Sequence, residues 1–228
     1  MSIGEISLSI RAIAVLNCLI IVLSEGCAPR TDLDRRQILT PSPESGSVGS
    51  LPVIPASYAT YTDDTGLVSI SFPPDWQANP PDLQAYPLLP MTDVIESLES
   101  GIPLASTGSL LYLNAPEGAA WCTVQVGPLL EEHRTVQEIA DEQVLDIRMY
   151  ASRFDLIRTE SVLVNGRESV IQEFELNLGG VNTHSLVLFM NLINTTWITT
   201  CAIDTTVSKY ADYAPTFRSI LGSIRIME

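Results

Sequence analysis

The chain has 228 residues, with 12 basic against 27 acidic side chains and a formal net charge of −15. Such a surface is repelled by nucleic acid, whose binding rests on Lys and Arg neutralising phosphates. It gains nothing from anionic lipid headgroups either, so any hold on a membrane must come from an anchor.

The first segment supplies one. A single basic residue, Arg11, precedes the apolar run Ala12–Leu23, and Ser24-Glu25-Gly26 leads into Cys27. The run is shorter than the roughly 20 residues a membrane-spanning helix needs. A short apolar core with a positive flank and a small residue at the cut site is the pattern of a secretory signal. It predicts a signal peptide over 1–26 and Cys27 as the new N-terminus. The segment resembles a lipobox, the bacterial lipoprotein signal whose cysteine thiol accepts a diacylglyceryl group, although Ser24 stands where that pattern has Leu. Lipidation of Cys27, plain secretion and an uncleaved N-terminal anchor are the three readings this leaves open. Removal of 1–26 takes Arg11, Glu5 and Glu25 and leaves a net charge near −14.

Residues 27–57 read as a flexible tether. Thr40-Pro41-Ser42-Pro43-Glu44-Ser45-Gly46-Ser47 has no apolar periodicity that could offset the entropy of ordering. Such a segment has an r.m.s. reach of roughly 30 Å. The globular part is then 58–228, one domain by size.

Within it, Tyr58–Thr62 and Leu67–Phe72 form a predicted hairpin turning at Asp63-Asp64-Thr65-Gly66, and Pro73-Pro74 ends the second strand. Met91–Ser100 reads as a short helix capped by Thr92 or Asp93. Leu110–Asn114 and Ala120–Val126 are strands joined at Pro116-Glu117-Gly118. The clearest helix is Val136–Tyr150. Thr135 and Glu138 make a capping box, and Val136, Ile139, Ala140, Val144 and Ile147 form one apolar stripe. Its acids, Glu138, Asp141, Glu142 and Asp146, read as a solvated face. Leu156–Val164 and Arg167–Leu178 meet across Asn165-Gly166, a two-residue hairpin turn. Gly179-Gly180 turns the chain into Ser185–Ile193 and then Thr196–Ile203. Val207–Leu221 has helical spacing, with Pro215 expected to kink or divide it. The pattern predicts an α+β fold, an antiparallel β-sheet flanked by helices in an α/β/α sandwich.

Cys18 leaves with the signal, so Cys122 and Cys201 are the interior cysteines of the exported domain. In an oxidising compartment they suggest one disulfide; two free buried thiols are the alternative. Trp197 shares strand parity with Cys201, whereas Trp121 and Cys122 have opposite parity. A bridge would therefore put those tryptophans on opposite sides of the sheet. The histidines, His133 and His184, are isolated and there is no CxxC, which argues against zinc. Both read as surface polar residues. There is no G-x-S-x-G elbow, Walker loop, dinucleotide fingerprint or EF-hand spacing. Asp63-Asp64 falls in a turn, where carboxylates serve geometry. Asn194-Thr195-Thr196 fits a glycosylation sequon, which has no meaning in a bacterial lipoprotein. The Pro- and Leu-rich stretch Asp82–Thr107 is a long connection of the kind that often carries function.

Three stretches together carry a family resemblance. Gly66-Leu-Val-Ser-Ile-Ser-Phe-Pro-Pro-Asp-Trp76, the hairpin Val164-Asn165-Gly166-Arg167-Glu168, and Tyr210-x-x-Tyr213-x-x-x-Phe217-x-x-Ile220-Leu221-x-Ser223-Ile224 resemble PsbP-like domains over about 58–228. The resemblance implies an antiparallel α+β fold, with Trp76 as a packing residue. It also implies a non-enzymatic domain that docks on a protein partner or membrane complex without a cofactor. No residue here matches the calcium and chloride role of the photosystem members. A small-ligand or metal-ion carrier is the alternative reading, and an extracytoplasmic enzyme is a third.

Overall fold

The computed structural model describes residues 49, 51–79, 88–100, 102, 104, 108–129, 134–192 and 194–226. The expected signal peptide, Cys27, the tether as far as residue 48, and His133 lie outside the described residues.

Among the described residues ten strands and three α-helices follow one another: β1 (Ala59–Thr62), β2 (Val68–Phe72), β3 (Gln77–Ala78), α1 (Met91–Ser100), β4 (Gly108–Asn114), β5 (Ala120–Pro128), α2 (Val136–Tyr150), β6 (Arg153–Val164), β7 (Arg167–Leu178), β8 (Val181–Leu192), β9 (Thr195–Asp204), α3 (Tyr210–Ser223) and β10 (Arg225–Ile226). The strands form a seven-stranded sheet, β3-β4-β5-β9-β8-β7-β6, and a three-stranded one, β1-β2-β10. The pairings within both sheets are antiparallel.

Local chemistry sets the turns. Asn165 and Gly166 have φ of 50° and 81°, the left-handed pair that a tight hairpin turn demands, and Val164 pairs with Arg167 across them. Asp63 closes the first hairpin. Its carboxylate accepts hydrogen bonds from the Thr65 amide at 2.8 Å, the Thr65 hydroxyl and the Val68 amide. Burial alone would raise the Asp63 pKa, but these bonds outweigh it and hold the carboxyl below its usual range. The capping box on α2 is formed in full: the Glu138 amide donates to Thr135 Oγ1 at 3.2 Å, and the Thr135 amide to Glu138 Oε2 at 2.8 Å. A cap of this kind contributes about 1 kcal/mol.

Each face of the large sheet has its own core. On one side Ala140 and Ile147 of α2 pack with Tyr112, Trp121, Phe174, Phe189, Ile198 and Ala202. On the other, Phe217, Ile220 and Leu221 of α3 pack with Trp197, Cys201 and Leu186, and β2 joins them through Val68, Ile70 and Phe72. Trp76 is buried in this second core, and Trp121 and Trp197 fall on opposite faces.

β6 serves both cores by changing parity. Phe154 and Leu156 pack on the α2 side, whereas Val162 and Val164 lie in the α3-side core. All four are even-numbered. The register shift between Leu156 and Arg158 makes this possible, because it leaves Ile157 unpaired as a β-bulge.

The predicted first hairpin is formed and stands in the small sheet, where β2 also pairs with the C-terminal β10. Three expectations need correction. The ordered domain starts before residue 58: the Gly49 amide donates to Ser161 O at 3.1 Å, and Leu51 packs against the α3-side core. Gly222 makes room for it, since a Cβ there would stand 3.1 Å from Leu51 Cβ. Thr92 and Asp93 lie inside α1 and do not cap it. Pro215 does not divide α3. A proline inside a helix costs about 3 kcal/mol. Phe217, Ile220 and Leu221 are fully buried and contribute about 1.5–3 kcal/mol each, which holds the helix together across it.

Cys122 and Cys201 stand opposite each other on β5 and β9, with 2.09 Å between their sulfurs and 4.1 Å between their Cα atoms. Thiol labelling of the unfolded, unreduced protein should leave both unlabelled, and reduction should lower stability by about 2–4 kcal/mol; full labelling would eliminate the bridge. Asp63→Asn should cost about 1–3 kcal/mol at neutral pH. The depressed carboxyl stabilises the fold above its unfolded pKa of about 4, and that contribution is lost as pH falls through the lower, folded value. Urea denaturation should therefore show the variant and the native chain converging in acid.

Candidate functional site: an ionic clasp between sheet and helix

The densest group of ionisable side chains described lies where β6, β7 and β8 meet the start of α3. Strand parity puts Glu173 and Glu175 of β7 on the face of Ile171, and His184 of β8 on the face of Leu186. In register, Glu175 is opposite His184, and Arg158 of β6 is opposite Glu173. The bulge at Ile157 is what brings Arg158 round to that face.

His184 Nε2 lies 3.0 Å from Glu173 Oε1, and Nδ1 lies 3.3 Å from Glu175 Oε1. Arg158 Nε donates to the other Glu173 oxygen at 2.7 Å. Arg158 also stands 3.9 Å from Glu160, which pairs in turn with Arg218 of α3. Arg153 extends the chain outward to Glu175 at 3.4 Å and Asp155 at 2.7 Å. Tyr210, the first residue of α3, lies flat on the His184 ring, with centroids 3.5 Å apart and planes within 3°. Burial, and then the Glu173 charge, push the Tyr210 phenol well above its usual pKa. The phenol therefore stays protonated, and its buried oxygen has no hydrogen-bond partner.

The sequence reads His184 as a surface polar residue. Instead its side chain is only 12% exposed, because α3, distant in sequence, folds over it. Both ring nitrogens face carboxylates and a ring face is covered, so neither nitrogen is offered to a substrate proton, as a general base must be. Among the described residues no group of three or more His, Cys, Asp or Glu is arranged to hold a metal ion. The cluster has the geometry of a clasp.

Two other singled-out features fall among the described residues. Asn194, the sequon residue, is buried, and its amide nitrogen donates to Ser97 O at 2.6 Å, Ser97 Oγ at 2.8 Å and Ile102 O at 3.0 Å. It thereby pins the end of α1 to the β8–β9 turn. Of the long stretch Asp82–Thr107, the described part comprises α1, Ile102, Leu104 and the residues from Leu88, which bridges Ser109. A surface cleft of about 540 Å³ lies beside Gly49, lined by Leu51, Pro52, Val53, Ile54 and Leu163.

One solved structure shares this fold. Cyanobacterial PsbP from Synechocystis sp. PCC 6803 is similar over 80% of this chain and 99% of its own, at 15% identity and a TM-score of 0.50. PA94 from Pseudomonas aeruginosa is similar over 75% of this chain and 98% of its own, at 10% identity and a TM-score of 0.44. The immunity protein TplEi of the same organism's T6SS, solved with a peptide, covers 75% and 98% at 11% identity and a TM-score of 0.46. No protein-family model and no curated protein matches the sequence. The chain has a PsbP-like α+β fold.

His184→Ala should lower stability by about 2–3 kcal/mol, because it strips a partner from the buried Glu173 carboxylate. Tyr210→Phe, which removes only an unpartnered hydroxyl, should change it by less than about 0.5 kcal/mol. Chemical denaturation distinguishes these outcomes; equal losses would mean that the Tyr210 hydroxyl contributes as much as the His184 ion pairs and would sink this account of the cluster.

Proposed function

We propose that the chain is exported, lipid-anchored through Cys27, and acts without catalysis by docking its PsbP-like domain on a protein partner or membrane complex. The observation that carries the non-catalytic part is the closure of the His184 cluster: its carboxylates and arginines neutralise one another and its imidazole is engaged on both nitrogens. The resemblance of the Gly66–Trp76 and Tyr210–Ile224 stretches to PsbP-like domains supports docking as the role. The Cys27 sequence context supports the anchor. The acidic balance of the chain fits attachment by lipid rather than by headgroup attraction.

The test is isolation of the protein from its native membranes and measurement of its native mass. A companion protein retained at fixed stoichiometry is the expected result; a chain without one sinks the docking reading. Cys27→Ala should release the protein into the soluble fraction, and unchanged membrane retention would eliminate the lipid anchor.

A further inference from the structure

Residues 45–62 hold no charged side chain, in a chain that carries 27 acidic and 12 basic ones. The described part of this stretch is pinned at two points. The Gly49 amide donates to Ser161 O at 3.1 Å, and Leu51 packs beside Gly222 against the α3-side core. These holds present the residues that follow to the outside. Pro52 and Val53 are exposed, Val53 at 92%, and Leu163 near the end of β6 is half exposed. With Ile54 they line the cleft of about 540 Å³ beside Gly49.

No residue lining the cleft is charged. Of the carboxylates nearby, Glu160 is paired with Arg218, and Glu168, opposite Leu163 in register, is exposed beyond the rim. A contiguous apolar surface on a held backbone marks a contact with protein or membrane. Position chooses between them. The cleft lies where the chain enters the domain: Gly49 is the first residue described, and Cys27 stands 22 residues before it. A tether of that length has a reach of roughly 25 Å. An anchor at Cys27 therefore keeps this face of the domain turned toward the bilayer.

We infer that the rim of this cleft, formed by Pro52, Val53 and Leu163, is seated in the neutral headgroup region of the bilayer that holds the anchor. The inference rests on the anchoring reading above and gives the anchored domain an orientation. An uncharged apolar rim enters the interface, whereas the acidic remainder of the domain is held off anionic headgroups. A few apolar side chains would not keep a free domain on a membrane. Tethering makes their contact intramolecular, so a weak seat suffices. Leu163 and Arg153 stand about 33 Å apart along β6, so the end of α2, which leads into Arg153, lies away from the bilayer.

The full chain, exported and anchored by the cells that make it, is purified and reconstituted in phosphatidylcholine vesicles with brominated acyl chains. Val53→Trp places a fluorescent reporter at the rim, and the native tryptophans are buried. The added emission should fall by about half relative to vesicles without bromine, as expected for a side chain within the interface. Met149→Trp, exposed at the end of α2, should lose none. If Val53→Trp does not fold, Leu163→Trp is the second reporter, and Val53→Asp beside it should restore its emission. Rim emission that bromine leaves unchanged overturns the proposal, as does equal quenching at Met149→Trp. A rim reporter that shifts in native membranes but not in the vesicles also overturns it, by giving the cleft to a protein. Sedimentation of Cys27→Ala is read separately: if that variant stays on the membrane the anchor reading fails, while quenching still scores the contact.

Discussion

β9 is buried along its whole length, with all ten residues from Thr195 to Asp204 shielded. It has a strand on each edge and a core on each face. That double enclosure fixes the rest of the sheet. A slip of one residue would exchange Trp197 and Cys201 for Ile198 and Ala202 between two cores of different shape. The registers of β5 and β8 follow from it, and so do the alignment of Cys122 with Cys201 and the height at which His184 meets Glu175.

The clasp depends on that alignment and adds something apolar packing alone would not. A partly buried ion pair is a weak source of net stability, since desolvation offsets most of the attraction. Its value lies in position. Tyr210 can lie on the His184 ring only if α3 begins there, and Arg218, two turns on, can reach Glu160 only if the helix has the observed rotation. The apolar residues of α3 would tolerate a small slide across the sheet; the clasp allows one setting.

Much of this was legible in the sequence where local chemistry decides. The capping box at Thr135 and Glu138 marks the start of α2 to the residue, Asn165-Gly166 locates the β6–β7 turn, and strand parity separates Trp121 from Trp197. What could not be read was set by distant contacts. Nothing near His184 announces that Tyr210 will cover it, and nothing in β2 names β10 as its neighbour. Leu51 sits in a Pro-, Ser- and Gly-rich stretch that looks unable to order, yet a glycine 171 residues later gives it a seat. The bulge at Ile157 is hidden for a different reason: the apolar residues on either side of it keep the same odd–even spacing, so the pattern reads as one uninterrupted face.

That bulge also governs how the outer edge of the sheet meets other chains. An edge strand is a template for aggregation when its partner can run straight alongside it. In β6 the free edge is broken by the extra residue, and Gly49 already occupies the carbonyl of Ser161. A neighbouring molecule would find no uninterrupted ladder to extend. The same residue that lets one strand serve two cores also breaks the edge along which copies could pair.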